Sequence, residues 1–202
     1  MAGIEQRVEG APMSKLSELI RERAKIDQEL EQFKHLLTIQ LVDIVESSEL
    51  YRRMDLLTAA VVVERELNRI KSKVIHFGGL PIKTIGDALL SRFEDPVAGV
   101  RSAVDIQRWL AGRKNGAGYR IRVRIVLNRD VGLLEGGKIY GDVINLAAHI
   151  EKIAAADTIL ITRSVYDAVH RARGLRMRKA EAAEGVEVFE VVWRPDRRKS
   201  GR

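Results

Sequence analysis

The sequence predicts an α+β domain preceded by a helical segment, and three observations carry that reading. Helix-spaced and strand-spaced apolar runs follow one another in a mixed order, roughly βαββαββαβαβ, without a clean alternation. Tyr119 to Leu127 alternates strictly, with Ile121, Val123, Ile125 and Leu127 on one face and Arg120, Arg122 and Arg124 on the other. Gly86-Asp87 falls between two short apolar runs, the mark of a tight hairpin.

At 202 residues the chain has room for one good core plus an appendage. With 46% hydrophobic and 31% charged residues, a soluble, cytoplasmic globular protein is expected. No apolar run approaches the ~18 residues of a membrane span. There are no cysteines, which excludes disulfides, thiolate metal sites and cysteine nucleophiles. The net charge of +7 raises nucleic-acid binding. Much of the excess sits in Arg194, Arg197, Arg198, Lys199 and Arg202, with no aromatic platform among them, so nucleic acid is not the expected partner.

Residues 1–13 read as a disordered leader. Residues 14–35 read as one helix capped by Ser14, with Leu16, Leu19, Arg23, Ile26, Leu30 and Phe33 stepping by three and four. That seam suits either a dimerising coiled-coil stalk, open to an unknown protein partner, or a helix packed on its own domain. The main domain is expected over 36–193 and a basic disordered tail over 194–202.

His35 to Val45 reads as a strand containing Asp43, a carboxylate whose unpaired burial would be costly. Ser47 or Ser48 is expected to cap a helix that starts near Glu49 and keeps its spacing to about Lys73. After the Gly86-Asp87 hairpin, Asp95-Pro96 opens another helix. The arginine row of Tyr119–Leu127 reads as a solvated strand face. Val131–Leu134 with Ile139-Tyr140 suggests a short hairpin, followed by a helix over about Asp142–Ala154. Thr158–Ile161 is a strand, Arg163–His170 a short helix and Val186–Trp193 a closing strand.

Asp43 and Asp87 each stand at the end or turn of an apolar strand. If those strands are neighbours, two carboxylates converge, a donor set that suits Mg²⁺ together with phosphate. The amides at the start of the helix after Asp43 would face the same anion. An ordinary hairpin is the plainer reading of the same residues.

Asp43-Ile44-Val45-Glu46-Ser47-Ser48, then Ile82 to Leu90 with Arg92-Phe93, then Tyr140-Gly141-Asp142-Val143-Ile144-Asn145-Leu146-Ala147-Ala148 resemble the class III adenylate/guanylate cyclase catalytic domain. The resemblance runs in order over about Leu36 to Val192 and extends to Asp157–Val169 and Val186–Val191. It implies a ferredoxin-like nucleotidyl cyclase domain that works as a homodimer with sites at the interface. It also implies two Mg²⁺ or Mn²⁺ ions, with ATP converted to cyclic AMP and pyrophosphate. Asp43 and Asp87 match the metal ligands, Lys83 the lysine that reads adenine, and Asn145 the asparagine that orients the ribose.

The departures point the other way. Glu46 stands in place of a glycine in the loop that carries Ser47 and approaches the phosphates. Lys138 stands in place of the second purine reader, an aspartate or threonine. His149 replaces the arginine that stabilises the transition state, and imidazole lacks its fork and fixed charge. Val126 and Asp130 replace two glycines, and a late phosphate-binding lysine aligns near Lys179 or Ala180. The expectation is therefore a degenerate, catalytically impaired member that acts as a regulatory dimer and retains nucleotide binding, with an active adenylate cyclase as the alternative.

Overall fold

The computed structural model describes residues 14–113, 120–180 and 185–194. The leader, Tyr119 and the tail beyond Arg194 lie outside the described residues.

Two compact units divide near Lys34. The first holds α1 (Lys15–Glu31), whose Ser14 cap accepts from the Ser17 amide at 3.3 Å. Its seam residues Leu16, Leu19, Ile26 and Leu30 are all exposed.

The second unit is built on an eight-stranded sheet. Its strands are β1 (Lys34–Ile44), β2 (Leu80–Ile85), β3 (Ala88–Phe93), β4 (Val123–Glu135), β5 (Lys138–Tyr140), β6 (Ile159–Thr162), β7 (Met177–Lys179) and β8 (Val188–Val191). The order is β2-β3-β1-β4-β6-β8-β7, with β5 folded back on β4. The helices are α2 (Ser47–Arg53), α3 (Leu56–His76), α4 (Pro96–Ala111), α5 (Asp142–Ile153) and α6 (Arg163–Val169).

Strand alternation assigns the faces. Val42, Ile44, Val123, Ile125 and Leu127 pack with α3, α4 and α6 through Val63, Ile70, Ala103, Ile106 and Val165. Leu37, Ile39, Leu41 and Leu90 point the other way, toward Val143 of α5, while Val126 and Leu160 meet its Ala147 and Ile150. By the same alternation Asp43 and Arg124 belong to the α5 face. Burial on both faces explains the near-continuous apolar run of β1.

Four expectations change. The helix over 49–73 is two helices: Met54 turns extended, and the Asp55 carboxylate caps α3 by accepting from the Thr58 amide at 3.0 Å. Ser47 and Ser48 do not cap α2; they lie inside it, and Glu46 takes the cap position. The two strands expected at 119–127 and 131–134 are one strand, β4, because Asn128 to Asp130 continue it without a turn. Strand β7 was not foreseen: it is three residues long, Arg178 pairs with Glu190 across the ladder, and Met177 is its one apolar residue on the core, too short a pattern to announce a strand.

Among the described residues no helix is long and apolar enough to cross a membrane.

Candidate functional site

Asp43 lies one register step from the hairpin that carries Asp87. It faces Ala88 across the β1–β3 ladder, and the Ile44 amide donates to the Asp87 carbonyl at 3.3 Å. Gly86 supplies the positive φ of 61° that the two-residue turn requires. The two aspartates predicted to converge are therefore neighbours.

Arg120 and Arg122 keep to the solvated face that alternation suggested, with side chains 45% and 40% exposed, but Arg124 does not. Arg124 Nε donates to Asp43 Oδ2 at 2.8 Å and forms a second ion pair with Glu151 of α5. Arg120 and Arg122 both reach Asp157, at 3.6 and 3.2 Å. Two carboxylates, Asp43 and Glu151, thus share one guanidinium, and the charge of Asp87 acts on Asp43 from the adjoining hairpin. Burial, then the charges of Asp87 and Glu151, push the Asp43 carboxyl up from 3.8 to about 6 against the pull of Arg124.

A divalent cation fits this donor set, since it would offset both the burial of Asp43 and the negative charges of Asp87 and Glu151 beside it. Among the described residues no three Asp, Glu or His side chains form a metal cage. Asp43 and Asp87 would be the chain's own ligands, with substrate oxygens and water completing the shell, as Mg²⁺ commonly allows.

A second group gathers elsewhere on the domain. Lys83 of β2 and Lys138 of β5 line one cavity of about 380 Å³ with Ile82, Leu90, Tyr140 and Ile144. Asn145 is exposed in the first turn of α5, where its Nδ2 donates to Asp142 Oδ1 at 3.2 Å. His149 is half-buried one turn further along.

Asn128, missed in the sequence, anchors this helix. It is 1% exposed, donates to the Val143 carbonyl at 2.9 Å and accepts from the Thr162 hydroxyl at 3.0 Å. A polar residue among apolar neighbours in β4 was the signal.

Glu46 and Ser47 sit apart from the lysines. Glu46 lines a cavity of about 160 Å³ with Glu49, Arg53, Arg120 and Arg122. Its φ of 60° and ψ of 30° are left-handed, a conformation that glycine takes without cost. Relief of this strain, less the extra chain entropy of glycine, predicts that Glu46→Gly stabilises the fold by roughly 1 kcal/mol. Thermal denaturation would show a rise of roughly 2–4 °C, and an unchanged or lower midpoint would contradict the assignment. Of the two positions where the late lysine aligns, Lys179 is paired with Glu187 at 2.8 Å and Ala180 carries no charge.

No family model matches the chain. An adenylate cyclase of Glutamicibacter nicotianae is 34% identical over 122 residues, which is 60% of this chain and 29% of that protein. The chain thus spans less than a third of that relative's length. Among solved structures, the adenylate/guanylate cyclase/hydrolase of Silicibacter pomeroyi superposes with a TM-score of 0.67 and 28% identity, over 81% of this chain and 98% of that one. The adenylyl cyclase CyaB of P. aeruginosa gives a TM-score of 0.66 at 22% identity, over 83% and 98%.

Proposed function

We propose that this domain, which has the fold of class III adenylate/guanylate cyclase catalytic domains, is a catalytically impaired nucleotidyl-cyclase-like module. It binds a nucleoside triphosphate with Mg²⁺ or Mn²⁺ and acts in signalling as a homodimer. The Asp43–Asp87 pair of one protomer and the Lys83–Lys138 cavity of the other form the two halves of each site. The exposed seam of α1 supplies a coiled-coil contact between the copies.

In this reading Asp43 and Asp87 hold the ions, Lys83 and Lys138 seat the base, and Asn145 orients the sugar. Glu46 and Ser47 border the polyphosphate, and His149 lies beside the reacting phosphorus. The chemistry that bound divalent ions supply is activation of the attacking hydroxyl and neutralisation of the polyphosphate.

The observation that carries the impaired reading is the Arg124–Asp43 bond at 2.8 Å. A guanidinium already offsets the charge that a metal would use. Glu46 adds a negative charge near the phosphates, and His149 offers no guanidinium fork for the transition state. Loss of one such stabiliser typically costs ~10²–10³ in rate.

Active adenylate cyclase is the second reading, favoured by the adjacency of Asp43 and Asp87 and by the relative named adenylate cyclase. Product formation from ATP and GTP, with Mg²⁺ and with Mn²⁺, separates the two. The impaired reading expects turnover at least ~10²-fold below an ordinary ~10 s⁻¹. Turnover of about 1 s⁻¹ or more, abolished by Asp87→Ala, would establish the enzyme instead.

A further inference from the structure

Asn128 sits in β4 at 1% exposure, with a directed partner on each side of its amide. Its Nδ2 donates to the Val143 carbonyl at 2.9 Å. Its Oδ1 accepts from the Thr162 hydroxyl at 3.0 Å and from the Arg129 amide at 2.9 Å. Those two donors fix which end of the amide faces Val143. Ser164, near the start of α6, donates to the Arg129 carbonyl at 2.6 Å and ties the same stretch of β4 to that helix.

The Val143 carbonyl belongs to the first turn of α5. A helical carbonyl accepts from the amide four residues on, and its second lone pair can take a sideways bond. This turn has no side-chain cap, and Gly141 stands at the cap position with a φ of 121°. It rests on β4 at close range, since a Cβ on Gly132 would come within 3.2 Å of the Tyr140 carbonyl and of Val143 Cγ1. Apolar contact is non-directional: it sets how near the helix lies, not its place along the strand. A buried hydrogen bond is directional and supplies that missing coordinate. Asn145 lies two residues beyond Val143 in the same turn, with its amide bonded to Asp142 at 3.2 Å. Its reach from the sheet therefore follows the Asn128–Val143 bond.

We propose that Asn128 is a positioning residue for nucleotide binding, which fixes the first turn of α5 and through it the placement of Asn145. The inference rests on the reading in which Asn145 meets the sugar. Asn128 is too buried to touch a nucleotide, so its effect passes through the helix.

Calorimetric titration of the full chain with ATP and with GTP, each with Mn²⁺, tests it as a mutant cycle. Asn145→Ala and Asn128→Leu are each expected to weaken binding roughly five- to tenfold, the effect of one hydrogen bond. The double variant should bind no more weakly than the weaker single variant, because both changes remove one contact. Asn128→His, whose Nδ1–H stands near the place of the amide N–H, should recover most of the affinity. Thr162→Val breaks the same buried group but leaves Val143 engaged. It should lower the melting temperature and keep affinity within about twofold of the parent. If Asn128→Leu does not fold, Asn128→Ser takes its place, since a serine hydroxyl is too short to reach the Val143 carbonyl.

Losses that multiply in the double variant would overturn the proposal while leaving nucleotide binding in place. So would an Asn128→Leu chain that binds like the parent, or a loss in Asn128→Leu with none in Asn145→Ala. A loss in Thr162→Val as large as that in Asn128→Leu would reduce Asn128 to general support of the core, and the proposal would fall. A parent chain that binds neither nucleotide would remove both readings together.

Discussion

Arg124→Leu is expected to destabilise the metal-free protein by about 2–3 kcal/mol. The Arg124 side chain is 26% exposed, and those of Asp43 and Glu151 are 11% and 15% exposed. Breaking a fully buried ion pair costs about 3–5 kcal/mol because a charge is left uncompensated. Partial exposure and protonation of Asp43 lower that figure. Urea denaturation in the presence of a chelator would measure the loss, and Arg124→Lys should recover part of it. The same substitution leaves more negative charge for a cation, so Mn²⁺ should stabilise the leucine variant more than the parent. A loss below about 0.5 kcal/mol, the range of ordinary surface changes, would mean that Arg124 is the solvated residue its strand alternation suggested.

The opposite sign is expected one bond away. Asp43→Asn should stabilise the metal-free protein by about 2 kcal/mol at pH 7.5. The Asp43 carboxyl is raised to about 6 in the fold, against 3.8 as its usual value. Between those values the native state binds more protons than the unfolded chain, so stability falls as pH rises from about 4 through 6. The contribution is present below 3.8 and lost above 6, and a shift of roughly two units amounts to about 3 kcal/mol. Asparagine removes most of that cost and gives up the charge-assisted bond from Arg124. The gain should therefore vanish near pH 4, which a pH series of urea denaturation would show. An asparagine variant less stable than the parent at pH 7.5, or one with the same pH slope, would contradict this. A stabilising loss of charge is the usual mark of a carboxylate kept for binding at the expense of the fold.

Local patterns were legible where local chemistry sets the structure. The Gly86-Asp87 turn, the Asp95-Pro96 helix start and the α1 cap all depend on residues within one turn of each other. The break between α2 and α3 was not legible, because helical spacing runs across it and one aspartate cap decides the boundary. Arg124 was misread for a different reason. Alternation places it on the less apolar face, but its partners lie 81 residues away on β1 and on a helix that covers that face. Glu46 could be flagged as a departure from a resembling loop, yet its left-handed backbone is visible only in the structure. The lysine cavity was half legible. Each lysine could be matched to a position in a known motif, but their shared cavity follows from the β4–β5 hairpin folding back beside β2.

In the proposed reading a cyclase-like scaffold has lost its rate through Glu46 and His149 while keeping the carboxylates of Asp43 and Asp87. The Glu46→Gly, His149→Arg double variant tests it most directly, by cyclic-nucleotide formation from GTP and from ATP with Mn²⁺. The parent protein is expected near background and the double variant at least roughly tenfold faster, with the gain abolished by Asp87→Ala. A parent already turning over at an ordinary enzyme rate, or a folded, nucleotide-binding double variant with no gain, would contradict it.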